Sequence, residues 1–336
     1  MLRQSLIAGA ALALAAAASV VQAQAPAYKI VGHIAGPDGG WDYANFDTVG
    51  RKIYVSKGNV VIVADADNGG PATALATPAV RSHAAVPLEG DRLLITNGGA
   101  NTVTIVKAAD GSVLATIPTG ANPDAAIYDP KSGLAFAMAH GGGGVTFIDP
   151  KTQKAVGEVM IGGDLEFAAV DGRERLYVNV ENKNQIAVID IKSRTVVGRF
   201  ELAGCDAPTG LAYVAKSDLL VVACSGLADI LHAADGTVAA ALKIGPGADA
   251  VILDVGRSLA FIPSGGDGTL AVINVADAKA VKLVQTVTTQ RGARTGTVDP
   301  KTGRLYLPTA KYAAAATPGG RPTIQPGSFE LLVVGP

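Results

Sequence analysis

A unit of roughly 42 residues recurs seven times along this chain. The clearest copies run PDAAIYDPKSGLAFAMAHGGGGVTFIDPKTQKAVGEVMIG from Pro123 and EFAAVDGRERLYVNVENKNQIAVIDIKSRTVVGRFELAG from Glu166. Each holds four short apolar or alternating stretches, separated by turns rich in Asp, Pro, Lys and Gly. A repeat of this length built from four strands is the unit of a β-propeller, in which each blade buries its faces only against its neighbours in the ring. Asp47, Pro87, Asp129, Asp171, Val214, Asp254 and Asp299 mark the end of the first strand in successive copies, at gaps of 40, 42, 42, 43, 40 and 45 residues. Seven marks predict an all-β, seven-bladed propeller of four-stranded antiparallel blades.

The copies do not start and stop in phase with the chain. The last ends after its third strand, at FELLVVGP, whereas YKIVGHIAG at residues 28–36 precedes the first complete copy and reads as an outer strand. The ring is therefore expected to close by pairing residues 28–36 with residues 328–334, which hides two strand edges that would otherwise invite aggregation.

Ahead of this lies MLRQSLIAGAALALAAAASVVQA, with a charge at Arg3, an apolar run of about 15 residues and small residues before a cleavage point. It reads as a signal peptide over residues 1–23, leaving residues 24–336 as one propeller domain that is periplasmic or secreted. The run is short of the ~20 residues that span a bilayer, so no membrane insertion is expected. Without residues 1–23, the 28 basic and 29 acidic side chains become 27 and 29. A nearly neutral chain with 5% aromatic residues offers neither the electrostatic drive nor the stacking platforms of a nucleic-acid binder, and it is expected to be a monomer. The two cysteines, Cys205 before the first strand of the fifth repeat and Cys224 at the end of its second, sit where antiparallel pairing brings them together. In an oxidising compartment they are expected to form a disulfide.

RLYVNVENKNQIAVID at residues 175–190 and PDAAIYDPKSGLAF at residues 123–136 resemble the blade of the YVTN-repeat β-propellers, exported bacterial proteins. The resemblance covers about residues 28–336. It implies fold more than activity, because similar propellers serve as binding modules, redox-partner subunits, lactonases and lyases.

In a propeller the loops entering the first strand and those joining the second and third strands surround one mouth of the central channel. Counting back from the turn marks, the column facing that mouth is Asp42, Ser82, Asp124, Glu166, Thr209, Asp249 and Arg294. Four carboxylates in one funnel repel unless a cation or Arg294 compensates, so Asp42, Asp124, Glu166 and Asp249 are candidate ligands for a divalent cation such as Ca²⁺, or for a cationic or polar small ligand; passive polar lining is the alternative. His83 stands beside the same mouth. His140 opens an HGGGG loop there and reads as a solvated loop residue. Gly141–Gly144 joins two strands without a following helix or a Lys-Ser/Thr signature, which excludes a phosphate loop. Trp41, with Tyr43, is either a rim platform for a ligand or packing beneath the GPDGG loop. Residues 311–328 form an Ala/Pro/Gly-rich insertion in the seventh blade, a candidate lid or docking element.

No CxxCH, Gly-x-Ser-x-Gly or His-Glu-x-x-His occurs, which argues against a cytochrome, a serine hydrolase elbow and a zincin. The reading from sequence is an exported binding or scaffold propeller that takes a small molecule or protein partner at the channel mouth. The alternative is a metal-assisted lactonase- or lyase-type enzyme, with a cation in the acidic funnel and His83 or Arg294 handling protons or substrate charge.

Overall fold

The computed structural model describes residues 27–314 and 322–336; the signal peptide expected at residues 1–23 lies outside them. Seven four-stranded antiparallel sheets form the ring. Blade 1 comprises Ala44–Asp47, Lys52–Ser56, Val61–Asp65 and the short Thr73–Leu75, and blades 2 to 6 repeat the up-and-down order through Lys282–Thr288. Blade 7 has Thr297–Val298 innermost, then Leu305–Thr309 and Glu330–Gly335, with Lys29–Ala35 outermost. Pairing runs from Lys29 opposite Gly335 to Ala35 opposite Glu330, so the ring closes as the sequence implies.

The recurring Asp-Pro-Lys turns have a local cause. The Asp ending a first strand accepts from backbone two residues on: Asp47 from Val49, Asp129 from Lys131, Asp171 from Arg173 and Asp299 from Lys301, at 2.6–3.1 Å. These side-chain turns hold the hairpin tight, together with a residue at positive φ in each, Gly133, Gly172 and Gly303 in three of them and Arg51 in the turn of blade 1. The same turns carry basic residues that reach into the next blade. Arg92 donates to Pro150 O and Arg257 to Pro300 O, while Arg173 pairs with Asp218. Arg51 crosses the seam to Asp299.

Within each blade the second and third strands are mostly buried, as in blade 3, where Phe136 lies edge-on to its cross-strand partner Phe147 at 4.9 Å. The N-terminal strand is fastened by Tyr28, which is 2% exposed and packs on Phe261 at 4.8 Å. Gln285 extends the ladder with its side-chain amide, accepting from Tyr28 N at 2.9 Å and donating to Tyr28 O at 2.8 Å. In blade 5, Cys205 and Cys224 are joined as a disulfide with Cα atoms 5.3 Å apart, a separation such a bond requires. Among the described residues no helix is long and apolar enough to cross a membrane.

Candidate functional site

Register decides which side chains meet at the mouth. Taking the last residue of each second strand as reference, the residue two places earlier pairs with Asn45, Ala85, Ala126, Ala168 and Leu211 in blades 1 to 5. Two places before each of these, and at the matching places of blades 6 and 7, stand Tyr43, His83, Asp124, Glu166, Thr209, Asp249 and Arg294. The count from the turns is thus right for five blades and one residue out in the first two. The two causes differ: the second strand of blade 1 is one residue shorter, Lys52 to Ser56 against Leu134 to Ala139 in blade 3, whereas in blade 2 the first strand runs on to Leu88, one residue past the Pro87 mark, and pairs there with Arg92. Ser82 is displaced from the column accordingly. It is 2% exposed, its backbone N–H donates to Gly58 O, and it takes no part in the mouth cluster. Asp42 leaves the column as well but turns back into the mouth through its partners.

Two linked groups result. In the first, His83 Nδ1 lies 2.7 Å from Asp42 Oδ2 and 3.4 Å from Asp124 Oδ1. Arg294 Nη2 is 3.5 Å from Asp42 Oδ1, and its Nε donates to Asp249 Oδ2 at 2.6 Å. In the second, Tyr43 Oη donates to Glu166 Oε2 at 2.9 Å, across 123 residues of sequence, and His140 Nδ1 stands 3.1 Å from Glu166 Oε1. That pair sits at ion-pair distance, with the imidazole nitrogen not aligned for a hydrogen bond. Asp124 stands between the groups. Among the described residues its carboxylate, 14% exposed, accepts no aligned hydrogen bond.

Burial sets the electrostatics. It pushes the Asp124 carboxyl up to about 7; the nearby imidazoles of His83 and His140 oppose the rise, and the charges of Glu166 and Asp42 add to it. Burial also raises Asp249, with Arg294 opposing. For His83, burial works against the imidazolium, but the bond to Asp42 and the charge of Asp124 outweigh it and raise the pKa. His140 is held up at about 9, chiefly by Glu166. The funnel is therefore not four bare carboxylates: two imidazoles and a guanidinium are interleaved with them.

The expected ligand set divides on this evidence of contacts. Asp42 and Asp124 gather around His83 and Glu166 faces His140, whereas Asp249 is occupied by Arg294. His140 belongs to the cluster rather than to open solvent. Its signal in the sequence is a second column, the residue just after each second strand, which reads Lys57, Gly98, His140, Glu181, Ser225, Gly265 and Ala310 and rings the same mouth. Thr209 is tied down instead, its hydroxyl donating to Ala248 O at 3.1 Å.

Trp41 resolves as packing. It is 6% exposed, between Phe329 at 5.7 Å and Tyr312 at 6.4 Å, and Lys57 lies over the Phe329 ring at 3.1 Å. Burial lowers the Lys57 pKa to about 8. The insertion of blade 7 begins as a two-stranded ribbon, Tyr312–Ala313 with Thr323–Ile324, docked near this tryptophan; residues 315–321 lie outside the described residues. The glycine run is a tight hairpin: a Cβ at Gly143, which has φ +70°, would fall 2.4 Å from Gly162 Cα.

No family model matches the chain, and no curated protein matches it. Solved structures do resemble it. A chain of Kuenenia stuttgartiensis hydrazine synthase superposes with a TM-score of 0.70 at 16% identity, covering 80% of this chain and 92% of its own. A chain of the mitotic checkpoint complex gives 0.74 at 14% identity, covering 100% and 99%. The likeness is one of fold. Fold alone does not fix an activity.

Proposed function

We propose that this is an exported propeller of the YVTN-like kind that binds a small molecule or a protein partner at the mouth lined by Asp42, His83, Asp124, Glu166, His140, Asp249 and Arg294. The observation that carries the reading is the crowding of four carboxylates with two imidazoles and one guanidinium, largely withdrawn from water, at a single opening. Such charge costs stability where apolar packing would not, and perturbed groups of this kind concentrate at binding and catalytic sites. The YVTN-like repeats and the leader at residues 1–23 support export to the periplasm or beyond.

The test is a thermal-shift and calorimetry panel of polyamines, quaternary ammonium compounds, small carboxylates and divalent cations, run on the wild type and on Asp124→Ala/Asp249→Ala. The reading expects at least one compound to stabilise the wild type and to lose its effect on the double variant. Identical responses would turn attention to the blade 7 insertion as a protein-docking face. The placement of His83 and His140 beside carboxylates favours one second reading, a metal-assisted enzyme acting on a lactone or related ring. Turnover of a lactone panel that depends on added Mn²⁺ or Zn²⁺ would establish it.

A further inference from the structure

The cluster around Asp124 has an internal symmetry that polar lining does not require. On one side stand one imidazole nitrogen and one carboxylate, His83 Nδ1 and Asp42; on the other side stand the same two donor types, His140 Nδ1 and Glu166. Asp124 is common to both sets, and within each set the three donor atoms lie within 4.8 Å of one another. Donors bound about 2.1 Å from one ion lie roughly 3.0 to 3.4 Å apart. The separations of 3.4 Å between His83 and Asp124 and 3.1 Å between His140 and Glu166 already fall there. The 2.7 Å contact of Asp42 with His83 needs to open by only a few tenths of an ångström.

From this geometry we infer a two-ion divalent metal site, in which Asp124 is the bridging carboxylate, His83 and Asp42 hold one ion, and His140 and Glu166 hold the other. The inference rests on the mouth being the binding site and names its ligand class.

Three further observations bear on it. Asp124 accepts no aligned hydrogen bond among the described residues, and neither of its oxygens is sealed from the open mouth, so a cation on either side can reach it. Glu166 is oriented from behind, since Tyr43 Oη occupies Oε2 and leaves Oε1 toward His140. This is the outer-shell support that metal-binding carboxylates use. His83 presents Nδ1 to the cluster while its Nε2 is buried and unpaired beside Gly98, where Asn122 Oδ1 is also buried and unpaired. A ligating imidazole commonly donates its second N–H to such an oxygen, directly or through water.

Charge is consistent too. Three carboxylates facing two divalent ions leave one net positive charge, which suits water, hydroxide or an anionic ligand in the open coordination positions. Mixed imidazole and carboxylate donors, three per ion, suit Zn²⁺ or Mn²⁺ better than the Ca²⁺ that carboxylates alone would select. Asp249 stays outside the set, held by Arg294.

The experiment strips the full mature protein with chelator, adds excess Zn²⁺, removes unbound ion by gel filtration and counts retained metal by mass spectrometry. Calorimetry on the same samples supplies affinities, and circular dichroism verifies the fold of each variant. Two equivalents are expected in the wild type, one in His83→Ala, one in His140→Ala and none in Asp124→Asn. Asp124→Asn keeps size and shape; should it fail to fold, the two histidine variants decide the matter alone. No retained metal, a single equivalent, or two equivalents indifferent to both histidine substitutions overturns the inference. Loss of small-molecule binding in Asp124→Ala/Asp249→Ala without any metal retention would leave the mouth as a ligand site while removing the metals from it.

Discussion

Arg51 places two guanidinium nitrogens on the two oxygens of Asp299, each at 2.7 Å, and so ties the first blade to the last on the side of the ring opposite the mouth. Asp299 is fully buried, and its side chain also closes the turn of blade 7 through Lys301 N and Thr302 Oγ1. The seam of the ring is thus fastened twice, by this pair and by the N-terminal strand. Burial alone would raise the Asp299 carboxyl, but the bond from Arg51 and those from the turn win and hold it at about 2. An unfolded aspartate titrates near 4, so the folded state binds this proton less well. The contribution of Asp299 is then fully present above about pH 4 and is lost as pH falls toward 2. Asp299→Asn is expected to cost about 3 kcal/mol at neutral pH, by leaving Arg51 without its buried partner. Its denaturation midpoint, measured against pH, should converge on that of the wild type near pH 2.

Tyr28 carries the second fastening, and its hydroxyl is buried without a partner. Tyr28→Ala should lose about 3 kcal/mol through the cavity it leaves against Phe261. Tyr28→Phe keeps the ring and removes an unsatisfied polar group, so it should match or exceed the wild type by up to about 1 kcal/mol. Chemical denaturation of both variants checks the two signs together.

Cys205 and Cys224 close a loop with a sequence separation of 19, for which chain entropy gives roughly 3 kcal/mol at most. Denatured protein that has never been reduced is expected to show no free thiol on titration. Reduction should lower the melting temperature without altering the blades distant from blade 5.

Among the described residues Arg294 is the only guanidinium in the mouth cluster, and it is shared between Asp249 and Asp42. Arg294→Ala should destabilise more than Asp249→Asn does, because it leaves the mostly buried Asp249 uncompensated and Asp42 with His83 alone. A double-mutant cycle between the two positions should return a coupling of about 1 kcal/mol or more. Additive effects would show that the pair contributes nothing beyond its separate members.

Blade number and ring closure are legible in the sequence because the blades repeat the same local chemistry, alternating apolar strands with, in five of the seven, an Asp-closed turn. The phase offset between residues 28–36 and the last repeat then has one economical solution. The mouth is less legible. Column counting assumes equal strands and an exact turn mark; the short second strand of blade 1 and the first strand of blade 2, which ends at Leu88 and not at Pro87, move Tyr43 and His83 into the places assigned to Asp42 and Ser82. Contacts such as Tyr43 with Glu166, or Arg294 with Trp41 O at 3.3 Å across 253 residues, depend on the curvature of the closed ring and leave no trace in local pattern. Trp41 shows the converse case: its pairing with Phe329 requires knowing that the last blade folds back onto the loop before the first.

The central claim is that the mouth is a binding centre organised on Asp124. Its most direct test is a crystal structure of residues 24–336 soaked with Zn²⁺, with anomalous differences collected at the zinc edge. Two peaks are expected flanking Asp124, each about 2.1 Å from the Nδ1 of His83 or of His140. A mouth holding only water, with His83 still bonded to Asp42 and zinc absent or bound elsewhere, would contradict the account.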